Sequence, residues 1–441
     1  MYVKKMSFIS LLSWKTLGRD FWLFRLGQLV SALGDSCSNI AIAWWILGKT
    51  GSASQMALVM APVTFVQITL IPVFGPIGDR FSRKWIVVIG DSIRLMTAAS
   101  LSIMAYLDIF NLPLIIGIYI THAAGTALFL SASESIIPKI VKTEHIQTAF
   151  HQEQMIAPIG TVLGGLVGGV SVTALGPAGA FGINAISFLV ASVASFFIQA
   201  DTMPHTEDIM TRTGNAFQIW RADLIEGFKI IRTIPVEIGV AVVLGLLNFA
   251  LAPVDISIAY FIKQDQNQPA WLLGTMETFS SVGTFVGSLI LAYLFRRLRK
   301  SDIIVVGIVA AALAITIIPQ SSGGIILPNL MMLCYGMGIV FANVPLKSQP
   351  AIAMPDAFRA RAGSVRSFVG SAVIPAGIAL SGYLIETIGV RASLTISGIL
   401  VALLAFGLYL IPNYRRFFDA SPEETSNFYK THYPKAFEKL R

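Results

Sequence analysis

Apolar stretches long enough to cross a bilayer recur along this chain, and they constrain its fold more than any other feature. A hydrocarbon core about 30 Å thick is crossed by roughly 20 helical residues. Twelve stretches meet that length, approximately over 22–47, 55–78, 85–107, 112–134, 152–174, 177–198, 238–262, 271–295, 302–319, 326–349, 363–386 and 391–412. Amides facing lipid must be bonded within their own segment, and these runs are continuous rather than alternating as in a barrel. The expected fold is therefore an all-α polytopic membrane protein of twelve transmembrane helices. Composition agrees: 55% of the 441 residues are hydrophobic, only 13% are charged, and the mean hydropathy is +0.72. That excludes an ordinary soluble domain.

The basic residues set the orientation. Of the 32 Lys and Arg, 25 fall in the tails and loops of one side. Only Lys49, Lys263 and Arg391 fall in loops of the other, and Arg25, Arg94, Lys347 and Arg366 lie within or at the ends of spans. The positive-inside rule then places both termini in the cytoplasm. The net charge of +8 reports topology, and the partner it implies is a lipid bilayer rather than nucleic acid. The start, MYVKKMSFISLLSWKTLGRDF, shows no apolar core followed by a small-residue cleavage site and is expected to be retained. Phe8, Leu11, Leu12 and Trp14 either form one face of a short surface helix, with Lys4, Lys5 and Lys15 near phosphates, or belong to an ordinary tail. The two cysteines, Cys37 and Cys334, lie in opposite halves without metal or redox spacing and read as small apolar residues at helix contacts.

The longest polar stretch between spans runs from Asp201 to Glu237 and divides them six and six. The expected organisation is a tail over 1–21, a six-helix bundle over 22–198, a central cytoplasmic loop over 199–237, a second bundle over 238–412 and a tail over 413–441. Echoes link the halves: GDSCSNIAIAWWI in the first span resembles APVDISIAYFI in the seventh, and both 2/3-type loops are basic, GDRFSRK against FRRLRK. A parallel repeat of two bundles around a central site is one physical route to alternating access.

The loop GPIGDRFSRK, residues 75–84, crowds charge between two apolar runs. Gly75, Gly78, Asp79, Arg80, Arg83 and Lys84 resemble the signature of the major facilitator superfamily, G-x-x-x-D-R-x-G-R-K, with Ser82 in place of the second glycine. The resemblance covers nearly the whole chain and implies two six-helix bundles, no cofactor and no enzymatic activity. It also implies that this loop latches the two halves on the cytoplasmic side, through Asp79, Arg83 and an acid at the inner end of span 4, here Glu134. Physically, the glycines allow close approach and Asp79 can face the positive end of a neighbouring helix. The plainer reading is that these charges enforce topology.

Ionisable groups inside the membrane are costly enough to be candidates by default. Asp35 falls near the middle of span 1 and His122 near the middle of span 4, two helices that line the central cavity in the superfamily. An acid in a dry site can exchange a proton between two sides as its exposure alternates, so Asp35 is the first candidate for proton coupling and His122 the second. The competing readings are an Asp bonded to Ser31, Ser38 or Asn39 on its own helix, and a histidine that donates a structural bond between helices. Asp91 and Arg94, three residues apart, share a face of span 3 and are expected to neutralise each other. Asp255 and Glu277 fall towards the outer side as gate or cation-attracting candidates. Arg25, Asn343 and Lys347 are substrate candidates, although snorkelling to phosphate is the default for the two cations. Were those cations to face the cavity, they would favour an anionic substrate.

Within the superfamily the stretches FRLGQLVSALGDS, LGTMETFSSVGTFVGSL and NVPLKSQPAIAMPDAFRAR resemble the drug:proton antiporters that include macrolide-efflux proteins and enterobactin-type siderophore exporters. Two departures stand out. The helix-4 arginine of many proton-coupled relatives is missing, with Thr121 and His122 near its place. The helix-5 pattern is only partly echoed by Gly160, Gly164, Gly168 and Gly169, because Gly165 stands where a proline should be. The resemblance implies a monomeric secondary transporter of the bacterial inner membrane that exports a small amphipathic molecule with protons as coupling ion. The alternatives are a siderophore exporter, a lysophospholipid flippase, an uptake symporter, or a non-transporting receptor or scaffold. An ATP-driven pump is disfavoured, because the GKT at Gly48–Thr50 lacks the earlier glycine of a phosphate loop, where Ala43 stands.

Overall fold

The computed structural model describes residues 14–78, 81–203, 216–321, 323–434 and 436, and these are helical, with no strand among them. Eleven helical stretches are long and apolar enough to cross a membrane. In chain order they begin with α1 (Arg19–Thr50), α2 (Ala53–Gly78), α3 (Arg83–Tyr106) and α4 (Leu112–Ile140). Asn111 starts α4, accepting from Leu114 N–H at 3.1 Å.

The helical run that follows, Ile146–Phe196, counts 51 residues and would be about 76 Å long if straight, far more than a bilayer core. It is broken at Gly176, whose φ of 68° suits glycine alone, and Pro177 then starts a new helix. The contacts with α1 show that the chain reverses there. A Cβ at Gly160 would lie 3.1 Å from Ala32 and one at Gly168 2.9 Å from Ser36, so this part runs parallel to α1. Gly27 meets Ala191 at 3.1 Å while Gly34 meets Ser187 and Asn184, so the part after Gly176 runs antiparallel to it. The run is two crossings, α5 (146–175) and α6 (177–196). With α7 (Pro235–Asp265), α8 (Ala270–Leu294), α9 (Lys300–Gln320), α10 (Ile326–Ala353), α11 (Arg361–Ile388) and α12 (Val390–Leu410), the twelve expected spans are present.

Two compact units emerge, residues 1–42 with 69–213 and residues 43–68 with 214–441. They depart from the sequence halves over 43–68, the end of α1 and the first part of α2, which pack with second-half helices. Within that second unit, Glu386 of α11 accepts from Ser52 Oγ at 2.5 Å and from Ser54 N–H at 3.1 Å. Lys263 donates to the Trp44 carbonyl and Gln264 to that of Leu47 at 2.7 Å.

The second unit also differs from expectation in what its polar segments do. The stretch read as a central loop carries the helix Ala216–Thr233, and the stretch read as a tail carries Tyr414–Phe418 and Pro422–His432. Their apolar residues, among them Ile230, Ile231, Phe417 and Tyr429, share one buried core with α7, α9, α10, α11 and α12. The helix that carries α11 starts before the span, at Asp356, and is two pieces, Asp356–Ser371 and Ile374–Ile388, both called α11 from here on, because Pro375 has no N–H to bond the preceding turn. Of the N-terminal surface-helix reading, Phe8, Leu11 and Leu12 lie outside the described residues; Trp14–Leu17 forms one helical turn.

Candidate functional site

Arg94 is the centre of the most highly charged buried cluster in the first unit. Its guanidinium lies between the rings of Phe129 and Phe188, at 4.2 and 4.5 Å from their centroids. Nη2 is bonded to Asp91 Oδ1, and Nη1 stands 3.9 Å from Asp35 Oδ2. Asp91 is fully buried, and its Oδ2 has no hydrogen-bond partner. The Asp35 side chain, by contrast, is 38% exposed. Two carboxylates therefore share one cation, and of the two Asp35 is the less buried. The buried side-chain amide of Asn184 faces Asp35.

The Asp91–Arg94 pair expected from the sequence is present, but it is not self-contained, since Arg94 also reaches Asp35. Of the partners considered for Asp35, Ser31 is engaged elsewhere and donates to the Gln28 carbonyl at 3.1 Å. The ring contact with Phe129 brings Arg94 of α3 against α4. Sequence reasoning missed Phe129, Phe188 and Asn184, since aromatic and amide residues in apolar helices carry no mark of what they face.

His122 lies on the same cluster's flank. Its Nδ1 is 2.9 Å from Thr97 Oγ1, and the Thr97 hydroxyl itself is directed at the carbonyls of Ile93 (3.0 Å) and Arg94 (2.9 Å). A hydroxyl that donates to a carbonyl accepts from a ring N–H, so His122 bridges α4 to α3. Its ring packs against Tyr119 and Phe188, with centroids at 6.0 and 5.6 Å.

Arg25 does not snorkel. It is 6% exposed, pairs with Glu153 at 3.4 Å and donates to the Glu153 carbonyl at 2.8 Å. Lys347 is exposed. In the second unit Asp255 of α7 lies beside Glu277 of α8 and Tyr335 of α10. Asp255 is exposed, Glu277 half-buried, and neither has a cationic partner among the described residues. Asn343 lines a separate cavity of about 60 Å³ with Leu247, Asn248, Leu251, Ile308 and Leu346. The structure therefore separates Asn343 from the acids.

Of the charged loop, Asp79 and Arg80 lie outside the described residues, as does the side chain of Glu134, and Gly75 and Gly78 are described only as part of the α2 backbone. Arg83 Nε donates to Ser135 Oγ at 3.1 Å, one residue beyond Glu134. Lys84 Nζ donates to the Ile198 carbonyl at 2.7 Å and faces the rings of Trp85 and Phe196 at 5.6 and 5.5 Å. Ser82, the departure from the signature, bonds Thr202 Oγ1 at 2.8 Å.

Comparison with known proteins places this arrangement. The pattern of the family described as "Transmembrane secretion effector" matches residues 14–435. The uncharacterized MFS-type transporter YvqJ of Bacillus subtilis is 22% identical over 399 residues, 90% of this chain and 92% of its own length. Macrolide efflux protein A of Streptococcus pyogenes is 25% identical over 419 residues, 92% of this chain and 98% of its own. The crystal structure of the nucleoside transporter NupG superposes with a TM-score of 0.70 at 15% identity, covering 91% of this chain and 100% of that one. At that identity it is the fold that is shared. The chain is an integral membrane protein of the major facilitator superfamily and belongs to its transmembrane secretion effector family.

Proposed function

We propose that this transporter exports a small amphipathic molecule carrying a cationic group, by alternating access and in exchange for protons. The observation that carries the reading is the charge balance at Arg94, where Asp35 and Asp91 share one guanidinium. With both acids ionised the cluster holds one negative charge in excess, which is costly inside a membrane and is relieved by a proton or a substrate cation. Asp35, the less buried of the two, is the group that exchanges; Asp91 keeps Arg94 in place, and His122 braces α4 against α3. The same occupant cannot satisfy both at once, and mutual exclusion of proton and substrate is the basis of exchange.

The acids Asp255 and Glu277, without a cationic partner, support a positively charged substrate or a cation-attracting gate. The similarity to a macrolide efflux protein supports export of a drug-like molecule. Arg25 is neutralised by Glu153, which removes one of the two cations that an acidic siderophore would need. In this reading the chain sits as a monomer in a bacterial inner membrane with both termini cytoplasmic, and Asp79, Arg83 and Glu134 latch the cytoplasmic side, aided by Gly75, Gly78, Arg80 and Lys84. Asn343 and Lys347 remain candidates for substrate contact from α10.

The test is accumulation of labelled macrolides, cationic dyes, catecholate siderophores and lysophospholipids in cells lacking their own pumps, with and without an uncoupler. Lower accumulation of a cationic amphipath that the uncoupler and Asp35→Asn both reverse is expected. Export of siderophore or lipid alone, uptake instead of export, or full activity in Asp35→Asn would overturn the reading.

A further inference from the structure

The best-satisfied buried charge in the second unit stands outside the site just described. Glu237, in the first turn of α7, is fully buried. Arg366 Nη1 donates to its two oxygens at 3.1 and 2.9 Å, and the hydroxyl of Tyr429 donates to Oε1 at 2.9 Å. Three segments far apart in sequence meet there: the start of α7, the first piece of α11 and the last described helix, Pro422–His432. A buried carboxylate with those bonds removed is strongly unfavourable, so the tail helix is held by more than apolar contact.

The rest of the tail is built to deliver Tyr429 to that point. Tyr429 stacks on Phe417 with centroids 5.1 Å apart, and Phe417 meets Phe428 edge-on at 5.1 Å. Asp419 accepts from Ser301 N–H at 2.9 Å and from its hydroxyl at 2.8 Å, tying the tail to the start of α9. Tyr414 donates to the Ser301 carbonyl at 3.1 Å. A capping box, Ser421 with Glu424, then starts the helix that carries Tyr429.

The element that Arg366 brings to this point is the first piece of a broken helix. Asp356–Ser371 is separated from Ile374–Ile388 by the break before Pro375. Besides Arg366, it presents Arg361 to Glu226 of the helix Ala216–Thr233 at 2.7 Å. The helix Ala216–Thr233 thus grips this piece directly, whereas the tail helix reaches it through Glu237, whose carboxylate Tyr429 shares with Arg366.

We propose that the segment 413–433 is a conformational clamp: docked through Tyr429 on the Glu237–Arg366 pair, it holds the Asp356–Ser371 piece of α11 still, and its release frees that piece to swing about the break at 372–373. This goes beyond the transport reading and does not depend on which substrate is carried.

Single cysteines at Thr425 in the tail and Ala362 in α11, both buried, report dock and clamp separately in a full-length chain with Cys37 and Cys334 replaced by alanine. Maleimide labelling of each is slow in the parent. Loss of one bond to a charged group in Tyr429→Phe is expected to speed labelling at both positions by about tenfold or more. Faster labelling at Thr425→Cys with Ala362→Cys unchanged would show that the tail does not hold α11, and no change at either would show that Tyr429 does not dock it; both overturn the proposal. Should Tyr429→Phe not fold, Asp419→Ala removes both acceptors that tie the tail to Ser301 without touching Glu237 and carries the same expectations. The labelling needs no substrate, so absence of export in the accumulation assay and absence of a clamp are distinct results.

Discussion

Arg94 Nη1 stands 3.9 Å from Asp35 Oδ2 while Nη2 of the same guanidinium is bonded to Asp91. The two acids are unequal, because Asp35 keeps 38% of its side chain exposed and Asp91 none. In the proposed reading, exchange at the less buried acid leaves the buried one packed, and the two rings that face the guanidinium help keep it desolvated.

Asp35→Asn tests the exposed acid. The amide preserves shape and a polar contact for Arg94, so the protein is expected to fold and reach the membrane in normal amount. Substrate-induced proton movement, read by a pH-sensitive dye in vesicles, is expected to fall by about tenfold or more, the scale on which loss of one charge-assisted contact acts. Unchanged proton movement would assign coupling elsewhere.

Arg94→Gln acts differently. It leaves Asp91 charged, buried and without its cation, a change that costs about 3–5 kcal/mol when one partner of a buried pair is removed. A lowered melting temperature in detergent is expected. Adding Asp91→Asn removes the orphaned charge and is expected to restore most of the stability while leaving transport impaired. A double variant as unstable as Arg94→Gln would mean that the ring contacts, not the pair, carry Arg94's structural role.

Glu386 caps the first turn of α2 from another helix, accepting from Ser52 and Ser54. Removing the acceptor in Glu386→Ala is expected to cost about 1 kcal/mol locally, as loss of a helix cap does. Hydrogen exchange at the amide of Ser54 would then quicken about fivefold, while Glu386→Gln, which keeps an acceptor oxygen, would lie between the two. Exchange at Ser54 indifferent to both variants would show that the contact does not hold the turn.

The spans were legible because lipid leaves a helix no alternative, and even the reversal at Gly176 was marked by the dipeptide Gly176-Pro177 between two apolar runs. The pair Asp91–Arg94 was legible because a spacing of three is a property of one helix. Its link to Asp35 was not, since it depends on how α1 lies against α3, and nothing local to either helix encodes that. Arg25 was misjudged for the same reason: its partner Glu153 is 128 residues away. The helices of the tail over 413–441 were not legible, because its aromatics Phe417, Phe428 and Tyr429 are interleaved with polar residues. Only the folded second unit shows that they form one face of a shared core.

The tail should also answer to pH at both extremes, with the signs set by two groups outside the membrane. Burial, and the Glu237 carboxylate beside it, push the Tyr429 phenol well above its ordinary value of 10.0; Arg366 opposes this and Tyr433 adds to it. A group raised on docking contributes stability that is present below its undocked value and lost above it, so labelling of Thr425→Cys is expected to quicken as pH rises past 10. Tyr429→Phe should abolish that alkaline rise, because the variant has no proton to lose. At the acid end, the backbone N–H and side chain of Ser421 hold the Glu424 carboxyl below its ordinary 4.5. A lowered acid stabilises above its undocked value, so the capping box weakens as pH falls below 4.5. The acid effect should persist in Tyr429→Phe and vanish in Glu424→Gln, whereas an alkaline rise that survives Tyr429→Phe would place the titrating group elsewhere.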